Sequence, residues 1–188
     1  MPCIICNGMP KSGTHALVKA VELLGIPWMQ EGGAKEYCIH GHYEIDQPMP
    51  RGKQILIIRN PRDMLVSWVR WTKSSVTEGY LISATKSYYS GKSFRDEARN
   101  YIDWFNDDET FVVKFESLIS EPETLQQIAR FINAPYIDGA FENIPGLTKT
   151  WTGKLSNWRD HWSSAVEQAW VDSGGLEIER GWGYAISG

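Results

Sequence analysis

Short apolar runs alternate along the chain with longer stretches in which apolar residues recur every three or four positions. CIIC at 3–6 and QILIIR at 54–59 show no apolar-polar alternation, which predicts strands covered on both faces. EYCIH at 36–40 and TFVVKF at 110–115 predict two further strands.

Helical spacing of apolar residues follows CIIC, and a helix start follows QILIIR. Leu17, Val21 and Leu24 recur as one face of a first helix. Asn60 is a favourable N-cap for a second helix, and Pro61 suits its first turn. Each of these strands is therefore followed closely by a helix.

Two more helices complete the pattern. One is capped by Ser93 and carries apolar positions as far as Phe105, and the other follows Pro122 and runs to Ile132. Alternating strands and helices predict an α/β fold, with a parallel β-sheet flanked by helices, in a single domain over 1–188. Ligands of such sheets bind beyond the carboxyl ends of the strands.

Composition narrows the functional class. The 188 residues are 42% apolar and 22% charged, as in ordinary globular proteins, and the formal net charge of −4 argues against nucleic acid as a partner. No apolar run is long enough for a membrane span or a signal peptide, so we expect no membrane partner and a cytoplasmic location. The sequence contains no feature that indicates the oligomeric state.

The three cysteines suit a reducing compartment. Cys3 and Cys6 form a C-x-x-C motif, but three positions apart on a strand they face opposite sides and are not expected to share a metal ion. Buried thiols are the expected state of these cysteines and of Cys38.

The segment NGMPKSGTH at 7–15 has the form of a phosphate-binding loop between a strand and a helix. Gly8 and Gly13 have the separation of an ATP-binding loop, but the lysine lies inside the loop, at Lys11. The helix start could still bind phosphate through its backbone N–H groups. The usual contacts with outer phosphates and magnesium are absent.

PKSGT at 10–14 together with RNPRDMLVS at 59–67 resembles the cofactor-binding pair of sulfotransferases. These enzymes have a P-loop NTPase-like fold and use 3'-phosphoadenosine-5'-phosphosulfate (PAPS), which leaves as adenosine 3',5'-bisphosphate (PAP). The resemblance continues at 112–132 and in TGKLSNWRDHWS at 152–163, the segment that closes over the cofactor. It implies in-line sulfuryl transfer to a hydroxyl or amine, with no metal required.

The resemblance also assigns roles in the first loop. It implies that Lys11 contacts the phosphosulfate and neutralises charge on the departing oxygen, while Ser12, Gly13 and Thr14 hold the 5'-phosphate. His15, at the helix start, is a further candidate for cofactor binding, with a structural role as the alternative. A plain glycine-rich turn with a solvated lysine is the alternative explanation.

The second signature implies the contacts with the 3'-phosphate. Arg59 matches the family's arginine and Ser67 its serine, with a surface ion pair of Arg59 as the alternative. The late segment assigns Gly153 and Lys154 to the cofactor. The family's Arg-Lys before that glycine is missing here. Lys154 is the expected substitute for its charge, with Lys149 as the alternative.

The catalytic base is expected between the two signatures, where the family carries a histidine. GHY at 41–43 resembles the family motif and favours His42, while His40 is the alternative base. The two histidines could also bind a metal, or His42 could be a structural, hydrogen-bonded residue.

Two other functions remain open at this stage: a small P-loop nucleotide kinase, and a catalytically inactive nucleotide-binding module of the same fold. The acceptor, whether small molecule, glycan or peptide, cannot be derived from the sequence. Its pocket is expected in the variable loops 27–48, 74–92 and 136–150.

Overall fold

The computed structural model describes residues 3–28, 36–144 and 155–184. The strands found there are β1 (Cys3–Asn7), β2 (Tyr37–Gly41), β3 (Lys53–Ile58) and β4 (Thr110–Lys114). The α-helices are α1 (Thr14–Leu23), α2 (Pro61–Thr72), α3 (Glu78–Lys86), α4 (Phe94–Ile102), α5 (Phe115–Ser120), α6 (Pro122–Ile132), α7 (Ser164–Asp172) and α8 (Gly175–Gly181).

All four strands are parallel, in the order β2-β1-β3-β4. Ile5 of β1 pairs with Ile39 on one side and Gln54 on the other, and Gln54 pairs in turn with Thr110. The predicted α/β class, a parallel sheet flanked by helices, is confirmed. The apolar runs are uninterrupted because β1 is buried along its whole length.

The chain divides into two compact units. The first consists of Met1–Ile58 with Trp104–Gly153, and the second of Arg59–Asp103 with Lys154–Gly188. The first unit contains the sheet with α1, α5 and α6, and the second contains α2, α3, α4, α7 and α8. That the whole chain is one domain stays a prediction.

In the first unit, the two faces of β1 enter different apolar clusters. Ile4 and Cys6 pack with α1 and α6, whereas Cys3 and Ile5 lie in the other cluster with Ile39. The predicted opposition of Cys3 and Cys6 is therefore correct. All three cysteines are buried and free of disulfides.

The second unit is helical and has an aromatic core. Trp170 and Trp182 are almost fully buried, and Phe94 packs against Trp170 with 5.1 Å between ring centroids. Ser93 caps α4 as predicted, since its side chain accepts the N–H of Asp96. No helix in the described ranges is both long and apolar enough to cross a bilayer.

One expected loop differs in the structure. The sequence predicts a variable loop at 74–92, yet this segment contains α3. The side chain of Thr77 accepts the N–H of Tyr80 and caps the helix, and Leu81 and Ala84 are buried three positions apart. The many hydroxyl groups of this segment mask that short apolar pattern.

Candidate functional site

The loop between β1 and α1 has a strained backbone. Ser12 donates its N–H to the carbonyl of Met9 at 3.0 Å. Lys11 and Gly13 both adopt the left-handed region, with φ of 72° and 111°. A lysine rarely adopts this conformation, and such residues concentrate at functional loops.

Gly13 cannot be replaced without a rearrangement. A Cβ atom at this position would lie 2.4 Å from the Cδ2 atom of Phe115, the buried first residue of α5. The positive φ and the close aromatic ring therefore both require glycine. Gly13, the second glycine of the loop, thus allows the loop backbone to lie against the ring of Phe115.

The loop ends at a helix terminus that is suited to an anion. The N-cap Gly13 has no side chain to accept the first N–H groups of α1, and the first turn contains no acidic residue. Ser12 is completely buried, and its Oγ has no hydrogen-bond partner among the described residues. Unused N–H groups, the helix dipole and a buried hydroxyl together form the donor set that a phosphate needs.

His42 follows β2 and is bound to the same loop. Its Nδ1 lies 2.5 Å from the carbonyl oxygen of Gly8. A carbonyl only accepts, so the proton of the neutral ring is on Nδ1 and the basic lone pair is on Nε2. Burial lowers the pKa of His42, the bond to Gly8 opposes this, and the charges of His15 and Lys11 lower it further.

The other two candidate histidines lie next to His42 in the first unit. The ring centroids of His40 and His42 are 5.5 Å apart, and those of His15 and His40 are 4.8 Å apart. Burial lowers the pKa of His40, and the neighbouring His15 and His42 add to this effect. His15 is exposed. No group of three or more metal-ligating side chains arranged for an ion was found within the described ranges.

The second signature forms the start of α2 in the second unit. The side chain of Asn60 accepts the N–H groups of Arg62 and Asp63 at 3.0 and 3.3 Å, which confirms the predicted N-cap. Arg59 is half-buried, and its charge opposes the strong rise in the pKa of Tyr88 caused by burial.

Asp63 has a role that the sequence did not reveal. It lies in the first turn of α2, and its buried carboxylate accepts the N–H groups of Ser156 and Trp158 at 3.0 and 2.9 Å. It thereby holds the described part of the predicted cofactor-closing segment 152–163. Nothing in the sequence signals this contact across more than 90 residues.

Arg62 is a second residue missed at the sequence level. It is 3% exposed and binds Glu179 through Nε at 2.5 Å, and it also pairs with Glu167. Its guanidinium lies over Trp158 and Trp162, 4.7 and 5.0 Å from the ring centroids. Burial alone would lower the pKa of Arg62, but the two carboxylates outweigh it and raise the pKa.

The predicted site residues fall into three groups. The first unit brings Lys11, Ser12, Gly13, Thr14, His15, His40 and His42 together. Arg59 and the half-buried Ser67 belong to the second unit. Gly153 and Lys154 lie outside the described residues.

A family model described as "Sulfotransferase domain" matches residues 39–163, more than half of the chain. The match includes Arg59, Ser67 and His42 and begins after the phosphate loop. A search of curated proteins found no match.

Two solved structures share the fold. Mouse sulfotransferase SULT7A1 complexed with PAP is 17% identical, with a TM-score of 0.74 over 95% of this chain and 84% of that chain. Retinol dehydratase in complex with androsterone and inactive cofactor PAP is 12% identical, with a TM-score of 0.72 over 99% and 82%.

Proposed function

This chain belongs to the sulfotransferase family, and we propose that it transfers a sulfuryl group from PAPS to a hydroxyl or amine acceptor. Two proteins of the same fold are complexed with PAP, which supports PAPS as the donor. One of them also holds androsterone, a hydroxyl-bearing small molecule. A small-molecule acceptor is therefore part of the proposal, with glycans and peptides as the other classes.

The observation that carries the proposal is the buried Oγ of Ser12. A hydroxyl removed from water without a partner costs free energy, and a bound phosphate that hydrogen-bonds to it would recover that cost. This hydroxyl belongs to the loop before α1, whose first N–H groups have no side-chain cap. The donors around Ser12, Gly13 and Thr14 fit a 5'-phosphate, and His15 adjoins them.

Sulfuryl transfer demands positioning and charge stabilisation, like phosphoryl transfer. When bound, PAPS supplies the sulfuryl group and a 5'-phosphate that can leave. His42 accepts the proton of the attacking acceptor group on Nε2, because its Nδ1 already donates to Gly8. Lys11 neutralises the charge that grows on the departing phosphate oxygen.

The second signature is proposed to hold the 3'-phosphate. A planar guanidinium binds two phosphate oxygens at once, which suits Arg59, and Ser67 adds a hydroxyl donor on α2. Asp63 keeps residues 156–158 attached to the same helix start. The roles of Gly153 and Lys154 stay predictions from the resemblance.

The decisive experiment compares stability with ligand binding in Ser12→Ala. Loss of an unsatisfied buried hydroxyl leaves the Tm of the unliganded protein unchanged or raises it. Affinity for PAP falls about tenfold or more, because a hydrogen bond to a charged group is lost. Thermal shift over a PAP titration measures both quantities.

The matched control is Ser120→Ala, since the Ser120 hydroxyl is exposed and donates to the carbonyl of Glu116. It should leave PAP affinity unchanged, whereas Arg59→Ala should abolish binding. Stabilisation by ATP and not by PAP would overturn the proposal and favour a kinase. Incubation with labelled PAPS and a panel of sugars, phenols and peptides then identifies the acceptor.

A further inference from the structure

The side chain of Asn7 is a fully satisfied hydrogen-bond centre at the end of β1. It is completely buried, and its Oδ1 accepts the N–H groups of Gly8 and Tyr43, both at 2.8 Å. Its Nδ2 donates to the Tyr43 carbonyl at 2.9 Å and to Oε1 of Gln54 at 3.1 Å. All four hydrogen-bonding positions of the amide are therefore in use.

The direction of these bonds is fixed from the far end of the network. The hydroxyl of Thr110 donates to the carboxylate of Asp107 at 2.5 Å, and a carboxylate only accepts. Thr110 can therefore accept from Nε2 of Gln54, at 2.8 Å, and Oε1 of Gln54 is turned toward Asn7. The Asn7 amide consequently has one orientation, with its oxygen toward Gly8 and Tyr43.

This orientation fixes His42 from two sides. The next residue, Tyr43, is held at both its N–H and its carbonyl by Asn7, and its carbonyl also accepts from Trp104 Nε1 at 3.2 Å. The imidazole itself binds the carbonyl of Gly8, whose N–H is bound by Asn7. One side chain thus holds both the phosphate loop and the segment that carries the histidine.

We infer that Asn7 is a positioning residue that sets the tautomer and orientation of His42 relative to the phosphate loop. The inference rests on the proposed function in one respect, namely that His42 is the base. Asn7 contacts neither donor nor acceptor in this account and acts only through the backbone of Tyr43 and Gly8. A complete polar network of this kind specifies one arrangement, because any other leaves buried groups unsatisfied.

Two substitutions separate the geometry of the amide from its volume. Asn7→Asp keeps the shape and one accepting oxygen but cannot donate to both the Tyr43 carbonyl and Gln54. Asn7→Ala removes the whole group. We expect both to lower kcat about 10²-fold, while affinity for PAP changes less than threefold, since misplacing a catalytic group affects the chemical step.

The tautomer of His42 reports the positioning effect of Asn7 directly, in a measurement that needs no activity assay. Long-range ¹H–¹⁵N NMR should show His42 protonated on Nδ1 in the wild type and as a mixture of tautomers in both Asn7 variants. Thr110→Val, which breaks the network remotely, should give a smaller shift in the same direction. Ile128→Ala, a cavity in the core of the same unit, is the control for lost stability and should leave the tautomer unchanged.

The outcomes separate this inference from the proposed function. An unchanged His42 tautomer in folded Asn7→Asp, or in Thr110→Val if the Asn7 variants do not fold, would refute positioning by Asn7. A wild type that fails to bind PAP or transfer the sulfuryl group would refute the function and leave the NMR result valid. Equal effects of Ile128→Ala and Asn7→Asp on the tautomer would reduce Asn7 to a stability role.

Discussion

The Nδ1 atom of His42 lies 2.5 Å from the carbonyl oxygen of Gly8, the first glycine of the phosphate loop. The proposed base is therefore bound to the loop that is proposed to hold the leaving phosphate. Because of this hydrogen bond, the His42 imidazole would move together with the loop. The placement of the imidazole relative to the phosphate-binding groups would then be kept. In-line transfer depends on such placement more than on any single strong contact.

We expect the rate of transfer to depend on pH through His42. Burial lowers its pKa, so the acid limb of kcat/KM should have its midpoint below about 6.5, the usual value for histidine. His42→Ala should reduce the rate about 10²–10⁴-fold and remove that limb. Initial rates between pH 5 and 8 measure both effects.

His40→Ala is the matched control for this prediction, because His40 lies beside His42 and also has a lowered pKa. It should retain most of the rate and the acid limb. If His40→Ala loses the limb and His42→Ala keeps it, the roles of the two histidines are exchanged.

Stability should depend on pH in the same region. His40 and His42 have lower pKa values in the folded chain than in the unfolded one, so the unfolded chain binds more protons as the pH falls below about 6.5. The contribution of the two neutral histidines to the free energy of unfolding is therefore complete above about pH 6.5. It is lost as the pH falls toward their pKa values in the folded chain.

Urea unfolding at pH 7.5 and 5.5 tests this sign. The wild type should lose free energy of unfolding between the two conditions, and the double variant His40→Gln/His42→Gln should lose less. An equal loss in both proteins would assign the pH dependence to other groups.

Gly13→Ala should destabilise the protein for two separable reasons. Gly13 has a positive φ and a Cβ would meet Phe115 at 2.4 Å, whereas Gly25 has φ 85° with nothing within 4 Å of an added Cβ. Gly25→Ala therefore measures backbone strain alone, about 1 kcal/mol. Gly13→Ala should cost at least a further 1 kcal/mol or so from the forced contact. Equal losses in urea unfolding would mean that Phe115 adjusts freely.

Structural features that depend on residues close together in the sequence could be predicted from the sequence alone. Asn60 before Pro61 predicts the start of α2 because N-capping involves neighbours within the first turn. The apolar runs predict buried parallel strands because their periodicity is a property of one segment. The loop at 8–13 could likewise be located from its glycines and from the strand and helix that flank it.

Contacts between distant segments could not be derived in this way. Asn7 bonds residues 36 and 47 positions away because the strand order brings β2 and β3 to either side of β1. The bonds of Asp63 to Ser156 and Trp158 likewise depend on how the second unit folds. Polar side chains at such places look like surface residues until the topology is known.

Removing one partner of the buried pair of Arg62 and Glu179 should cost more stability than removing one partner of an exposed pair in the same unit. Arg62→Met leaves the 3% exposed Glu179 carboxylate without its partner, at an expected cost of about 3–5 kcal/mol. Arg62→Met/Glu179→Leu should recover most of this loss, because the uncompensated charge is gone. Urea unfolding of the single and double variants gives the coupling free energy between the two positions.

The exposed pair of Arg99 and Glu177 provides the comparison, since its Nη2 and Oε1 atoms lie 2.5 Å apart with both side chains about half exposed. Water solvates either group when the other is removed, so Arg99→Met should change stability by less than about 1 kcal/mol. Additive losses in the Arg62 and Glu179 double variant would contradict the prediction. The stacking of Arg62 on Trp158 and Trp162 would then account for the cost of Arg62→Met.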